Sequence, residues 1–157
     1  MNREIKFRVW NNNRNMFIIN GMTSKEIQDD ATQSMELPII TNEPCVWQQY
    51  TGLKDKNGVE IYEGDIIEFL LSMPEYEINN LYQYEIIYHN GYVEDGSAGT
   101  AEYSIVFSGF AAKATKGCCD EGRTRSIGRS PDKENYGVCG IIVDYYEVIG
   151  NIFEGVE

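Results

Sequence analysis

Short apolar runs, broken at nearly even intervals by Gly and Asn bends, constrain this chain more than any other feature. The pattern is densest in Tyr50-Thr51-Gly52-Leu53-Lys54-Asp55-Lys56-Asn57-Gly58-Val59-Glu60-Ile61-Tyr62-Glu63-Gly64-Asp65-Ile66-Ile67-Glu68-Phe69. Asn57-Gly58 is a strong hairpin dipeptide, because both central positions of a type I′ turn need positive φ. Glu63-Gly64-Asp65 is a second tight bend, feeding the apolar run from Ile66 to Leu71. In such a bend the Gly permits the reversal and the Asp side chain accepts backbone N–H groups. Asn57, Gly58, Gly64 and Asp65 are therefore read as structural turn residues, with Asp65 a turn cap rather than a catalytic acid.

The rest of the chain continues this grammar. Ile5, Phe7 and Val9 alternate with Lys6, Arg8 and Trp10, the period of a strand with one buried face. Asn11 to Asn15 supply a turn, and Met16 to Ile19 return as a second strand. Thr23 with Glu26 fits a capping box, which predicts a short helix from Ser24 to about Asp30. Cys45 to Tyr50, Tyr84 to Tyr88, Tyr103 to Phe107, Val138 to Val143 and Tyr146 to Ile152 read as further strands, with Pro74 to Gln83 a helical turn or loop. His89-Asn90-Gly91-Tyr92 reads as a hairpin-like turn, which would expose the single histidine.

Many short strands and no long amphipathic helix predict a mostly β fold: a small SH3-like barrel, or a complex β-barrel or sandwich, with little helix and a long mobile loop. A single domain over residues 1–157 is expected, with an N-terminal sub-region at 1–48 and a barrel-like core at 49–107 plus 137–154. Residues 108–136, rich in Gly, Ser and charge, are read as the loop excursion.

Charge is unevenly placed. The net charge is −12, yet residues 57–112 hold ten acids and no Lys or Arg. Residues 113–133 reverse the sign with Lys113, Lys116, Arg123, Arg125, Arg129 and Lys133. These six bases are the candidate binding residues, facing either phosphates or the acidic surface of this chain or a neighbouring copy. The overall charge disfavours nucleic acid, whose affinity comes from cations neutralising phosphates.

No apolar run approaches the ~20 residues of a membrane span, and the charged start Met1-Asn2-Arg3-Glu4-Ile5-Lys6 lacks the apolar stretch of a signal peptide. A cytoplasmic protein with no membrane partner is expected. Cys45, Cys118, Cys119 and Cys139 form no C-x-x-C pair, and are read as reduced thiols rather than metal ligands or disulfides. Gly96-Ser97-Ala98-Gly99-Thr100 lacks the Lys of a phosphate-binding loop. Trp10, Trp47 and Tyr50 could stack on bases but more often fill cores. No catalytic residue, metal or cofactor is assigned.

Three stretches resemble the YopX family of phage and prophage proteins. They are Ile5-Lys6-Phe7-Arg8-Val9-Trp10 followed by Met16, Gln49 to Gly58 with Ile61 to Ile66, and Tyr146-Glu147-Val148-Ile149-Gly150-Asn151-Ile152-Phe153-Glu154. The resemblance implies a small, mostly β protein of phage or prophage origin, in a bacterial host cell, and carries no catalytic residues. The reading of function is a non-catalytic binding or assembly module forming a homo-oligomer or holding a host or phage protein. The alternatives are a nucleic-acid accessory protein, an acidic decoy of a host DNA-binding protein, and a carboxylate-metal hydrolase.

Overall fold

The structure, a computed structural model, describes residues 4–30, 42–95, 103–116, 124–128 and 141–156. Strand β1 (Lys6–Asn11) and strand β2 (Met16–Thr23) form the opening hairpin. Asn11 closes it, its Oδ1 accepting the N–H groups of Asn13 and Arg14 at 2.9 Å each. Helix α1 (Ser24–Asp30) begins at the capping box. Glu26 accepts from the Thr23 N–H at 2.8 Å, and the Glu26 N–H donates to the Thr23 hydroxyl at 3.2 Å. Strand β3 (Cys45–Lys54) pairs with β1 and, at its far end, with β4 (Glu60–Tyr62). The four strands make one antiparallel sheet in the order β2-β1-β3-β4.

The bend between β3 and β4 is not type I′. Among Asp55 to Val59 only Gly58 takes positive φ, at 85°. Asp55 supplies the closure that the Asn57-Gly58 dipeptide was expected to supply. Its Oδ1 accepts the N–H groups of Asn57 and Val59 at 2.8 Å each, and its carbonyl accepts the Gly58 N–H at 3.0 Å. A buried carboxylate satisfying the bend removes the need for a second left-handed residue. A Cβ added at Gly58 would meet nothing within 4 Å. Gly58→Ala is thus expected to cost only the left-handed strain, about 1–2 kcal/mol in a urea titration.

The second sheet runs β11-β10-β5-β6-β7-β8-β9. Its members are β5 (Asp65–Met73), β6 (Ile78–Asp95), β7 (Tyr103–Lys116), β8 (Thr124–Gly128), β9 (Ile141–Ile142), β10 (Glu147–Asn151) and β11 (Gly155–Val156). All pairs are antiparallel except β8 with β9. Ile61 from β4 joins Ile67, Tyr84, Ile86, Ala112, Ala114 and Val143 in a buried cluster. Each buried Ile there contributes about 1.5–3 kcal/mol. The Glu63-Gly64 bend passes the chain from one sheet to the other, so the two sheets meet at the start of β5.

Three expectations need correction. The described strands form two open sheets, and among the described residues there is no closed barrel of the SH3-like kind. Residues 108–116 and 124–128 of the expected loop are strand. Their small residues are packing partners: Ala111, Ala112 and Ala114 are buried against β6, where a Gly and Ala run leaves room for Tyr84 and Ile86. Last, His89 lies inside β6 opposite Gly109, and Asn90 opposite Ser108. The long ladder overrides the local turn preference of Asn90-Gly91.

Candidate functional site

The meeting line of the two sheets is polar and buried. Arg8 leaves β1 with its guanidinium stacked between the rings of Phe17, at 4.6 Å, and Tyr62, at 4.7 Å. Its Nε donates to Gln48 Oε1 at 2.8 Å, and its terminal nitrogen pairs with Asp65 Oδ1. Asn151, at the end of β10, donates from Nδ2 to Asp65 Oδ1 at 3.2 Å and to Gln48 Oε1 at 3.2 Å. Asp65 Oδ2 accepts the Tyr62 N–H at 2.7 Å, which is the turn cap. Side chains from β1 and β10 thus meet on the β5 carboxylate, and Gln48 of β3 accepts from both of them.

Asp65 is 1% exposed and Arg8 11% exposed, so the pair is desolvated and its worth depends on the completeness of its hydrogen bonds. Burial pushes the Asp65 carboxyl above the ordinary Asp value, while Arg8, the Tyr62 N–H and Asn151 pull it back. Both Asp65 oxygens are occupied by donors from the protein, which suits a brace between sheets rather than a proton carrier. A second brace lies at Asp55, whose Oδ2 accepts the Val148 N–H at 3.0 Å and ties the β3–β4 bend to β10. On the surface, Lys6 pairs with Glu60 at 2.8 Å and Lys56 with Glu147 at 2.8 Å. Among the described residues no group of His, Cys, Asp and Glu is arranged to hold a metal ion.

Beside the brace lies an open groove of about 110 Å³, lined by Val46, Trp47, Gln48, Glu63, Gly64, Glu85, Ile86, Ile87, Ile152 and Phe153. Its floor is fixed by backbone bonds: the Gly64 N–H donates to Ile86 O at 2.7 Å, and the Ile152 N–H to Gly64 O at 2.9 Å. Its walls are held by rings. Trp47 meets Phe7 edge-on at 5.8 Å, and Phe153 stacks on Trp10 at 5.5 Å. Two large apolar side chains nevertheless face out, Trp47 at 43% and Ile152 at 47% exposure.

The described bases of the predicted basic segment do not share one surface. Lys113 and Lys116 are exposed on β7, with Lys113 opposite Glu85 and Lys116 opposite Gln83. Arg125 is half-buried on β8 opposite Ala112, while its neighbour Thr124 faces Lys113. Residues that alternate along a strand face opposite sides of the sheet, so Lys113 and Arg125 are divided between its two faces. Arg123, Arg129 and Lys133 lie outside the described residues, as do Cys118, Cys119, Cys139 and the Gly96–Thr100 run. Of the turn residues, Gly58 and Gly64 carry positive φ, at 85° and 80°, Asn57 sits under the Asp55 cap, and Asp65 caps the Glu63-Gly64 bend.

Arg8, Gln48, Asn151 and Trp47 were missed as a site. Arg8 alternates with apolar residues and so reads as solvent-facing, and its partner Asp65 is 57 positions away. The one usable sign was that Arg8, Asp65 and Asn151 each fall in one of the three family-like stretches. Those stretches, far apart in sequence, meet at the brace.

A crystal structure of protein EF1440 from Enterococcus faecalis shares 20% identity with the chain, over 96% of this chain and 94% of that one, with a TM-score of 0.38. No curated protein matches the sequence. The YopX protein family matches over residues 6–157, essentially the whole chain, and the protein therefore belongs to the YopX family.

Proposed function

We propose that this chain is a non-catalytic binding module that holds a protein partner on the groove face, and that it serves a phage or prophage in the bacterial cytoplasm. The observation carrying this reading is the contrast between the brace and the groove. The brace places its Arg, Gln, Asp and Asn where they satisfy one another. The groove instead leaves Trp47 and Ile152 exposed on a floor that is already rigid. Exposed aromatic and aliphatic side chains on a preformed surface are what a partner buries at the centre of an interface. A cavity of about 110 Å³ is small beside the roughly 300–1,000 Å³ of small-molecule sites. The nucleic-acid alternative has less support, since Trp10 and Tyr50 are buried and the described bases are divided between faces.

The test is a photo-crosslinking amino acid placed at position 47 or at the exposed control Tyr145. In host cells carrying the phage or induced prophage, position 47 is expected to give one discrete adduct that position 145 does not give. The absence of any adduct at 47, or an identical smear at both positions, overturns the reading.

A further inference from the structure

Glu63 and Glu85 border the groove, and both are half-buried. Among the described residues no Lys, Arg or His nitrogen lies within ion-pair distance of either, although Lys6, Arg8, Arg14 and Lys56 all find carboxylates. Lys113 stands opposite Glu85 in the β6–β7 register without pairing with it. Two unpaired carboxylates therefore flank an apolar surface that includes Trp47, Ile152 and Phe153.

A partner covering this groove must take water from both carboxylates. With an apolar or acidic occupant that desolvation is uncompensated. A guanidinium or ammonium compensates it, and Arg does so best, because its fork bonds a carboxylate and its plane stacks on an indole face. The cavity is of a size for one long side chain. We infer that the partner segment is a cationic peptide strand in which Arg or Lys alternates with aliphatic residues, its cation seated between Glu63 and Glu85 and its apolar neighbours on Trp47 and Ile152. This rests on the partner-binding reading above and names the chemistry of the partner. The preorganised floor and ring-braced walls lower the ordering cost of such docking.

The experiment titrates the full chain with two peptides, acetyl-Val-Arg-Val-Arg-Val-amide and its counterpart with Glu in place of Arg. The readout is the NMR shift of the Trp47 indole N–H, with buried Trp10 as the internal reference. The Arg peptide is expected to shift Trp47 saturably, more weakly as salt rises, and the Glu peptide to leave it in place. The double variant Glu63→Gln, Glu85→Gln is expected to weaken Arg-peptide binding about tenfold, as two half-exposed ion pairs would. Glu154→Gln is expected to leave it unchanged, and Lys113→Ala to strengthen it about twofold by removing a competing charge from Glu85. Equal binding of both peptides, or an unaffected double variant, overturns the inference. A concentration-dependent rise in mass by light scattering, lost in the double variant, also overturns it by making a second copy the occupant. If position 47 gives its adduct in cells while the Arg peptide fails to bind, the partner reading stands and the cationic chemistry falls.

Discussion

Asp65→Ala is expected to destabilise the protein by about 3–5 kcal/mol, the cost of stranding a buried guanidinium. Asp65 is the acceptor for Arg8, for the Asn151 amide and for the Tyr62 N–H. Removing it leaves the Tyr62 N–H without its side-chain acceptor, leaves Arg8 and Asn151 with only Gln48 to accept from them, and strips the Arg8 charge of its counterion. Asp65→Asn keeps an acceptor for the Tyr62 N–H but not the charge, and is expected to fall between wild type and Asp65→Ala. Removing both charges at once, as Arg8→Met with Asp65→Leu, is expected to recover much of the loss, since replacing a buried pair by apolar groups is often close to neutral. Urea denaturation of the three variants measures these differences. An Asp65→Ala loss below about 1 kcal/mol would mean that the brace does not hold the sheets together.

The second large effect is expected at Gly64. The residue has φ 80°, and a Cβ there would lie 2.2 Å from Gln48 Nε2 and 3.3 Å from Asn151 Nδ2. A side-chain amide can usually swing away from such a contact. Gln48 is 2% exposed, and its Oε1 accepts from Arg8 at 2.8 Å, so moving it breaks bonds that water cannot replace. Left-handed strain of about 1–2 kcal/mol adds to a lost buried hydrogen bond of about 1–3 kcal/mol. Gly64→Ala should therefore cost about 2–5 kcal/mol, clearly more than Gly58→Ala. A double-mutant cycle isolates the cause. In a Gln48→Ala background the contact is gone, and Gly64→Ala is expected to cost only the strain, leaving a coupling of about 1–3 kcal/mol. Strict additivity would show that the contact carries no energy.

Local chemistry was legible in the sequence because its partners sit within a few positions. The Thr23–Glu26 box and the Asn11 turn are closed over three residues or fewer. The Asp65 cap on the Tyr62 N–H is equally short. The bends at Gly58 and Gly64 follow from the one residue that tolerates positive φ without a steric cost. Strand content and the lack of long helices follow from how often such bends recur.

Only the tertiary structure decided that both faces of β1 are covered, with Val9 buried on one and Trp10 on the other, and so turned Arg8 from an apparent surface cation into the centre of a brace. Its carboxylate lies 57 positions away, and the amide that completes the set is 86 positions from that carboxylate. Only the ladder of β6 with β7 kept His89 in a strand against the turn preference of its neighbours. The same ladder converted a run of small residues into buried packing against Tyr84 and Ile86. Short-range hydrogen bonding is written into adjacent residues, whereas burial and charge pairing depend on which distant strands come to lie side by side.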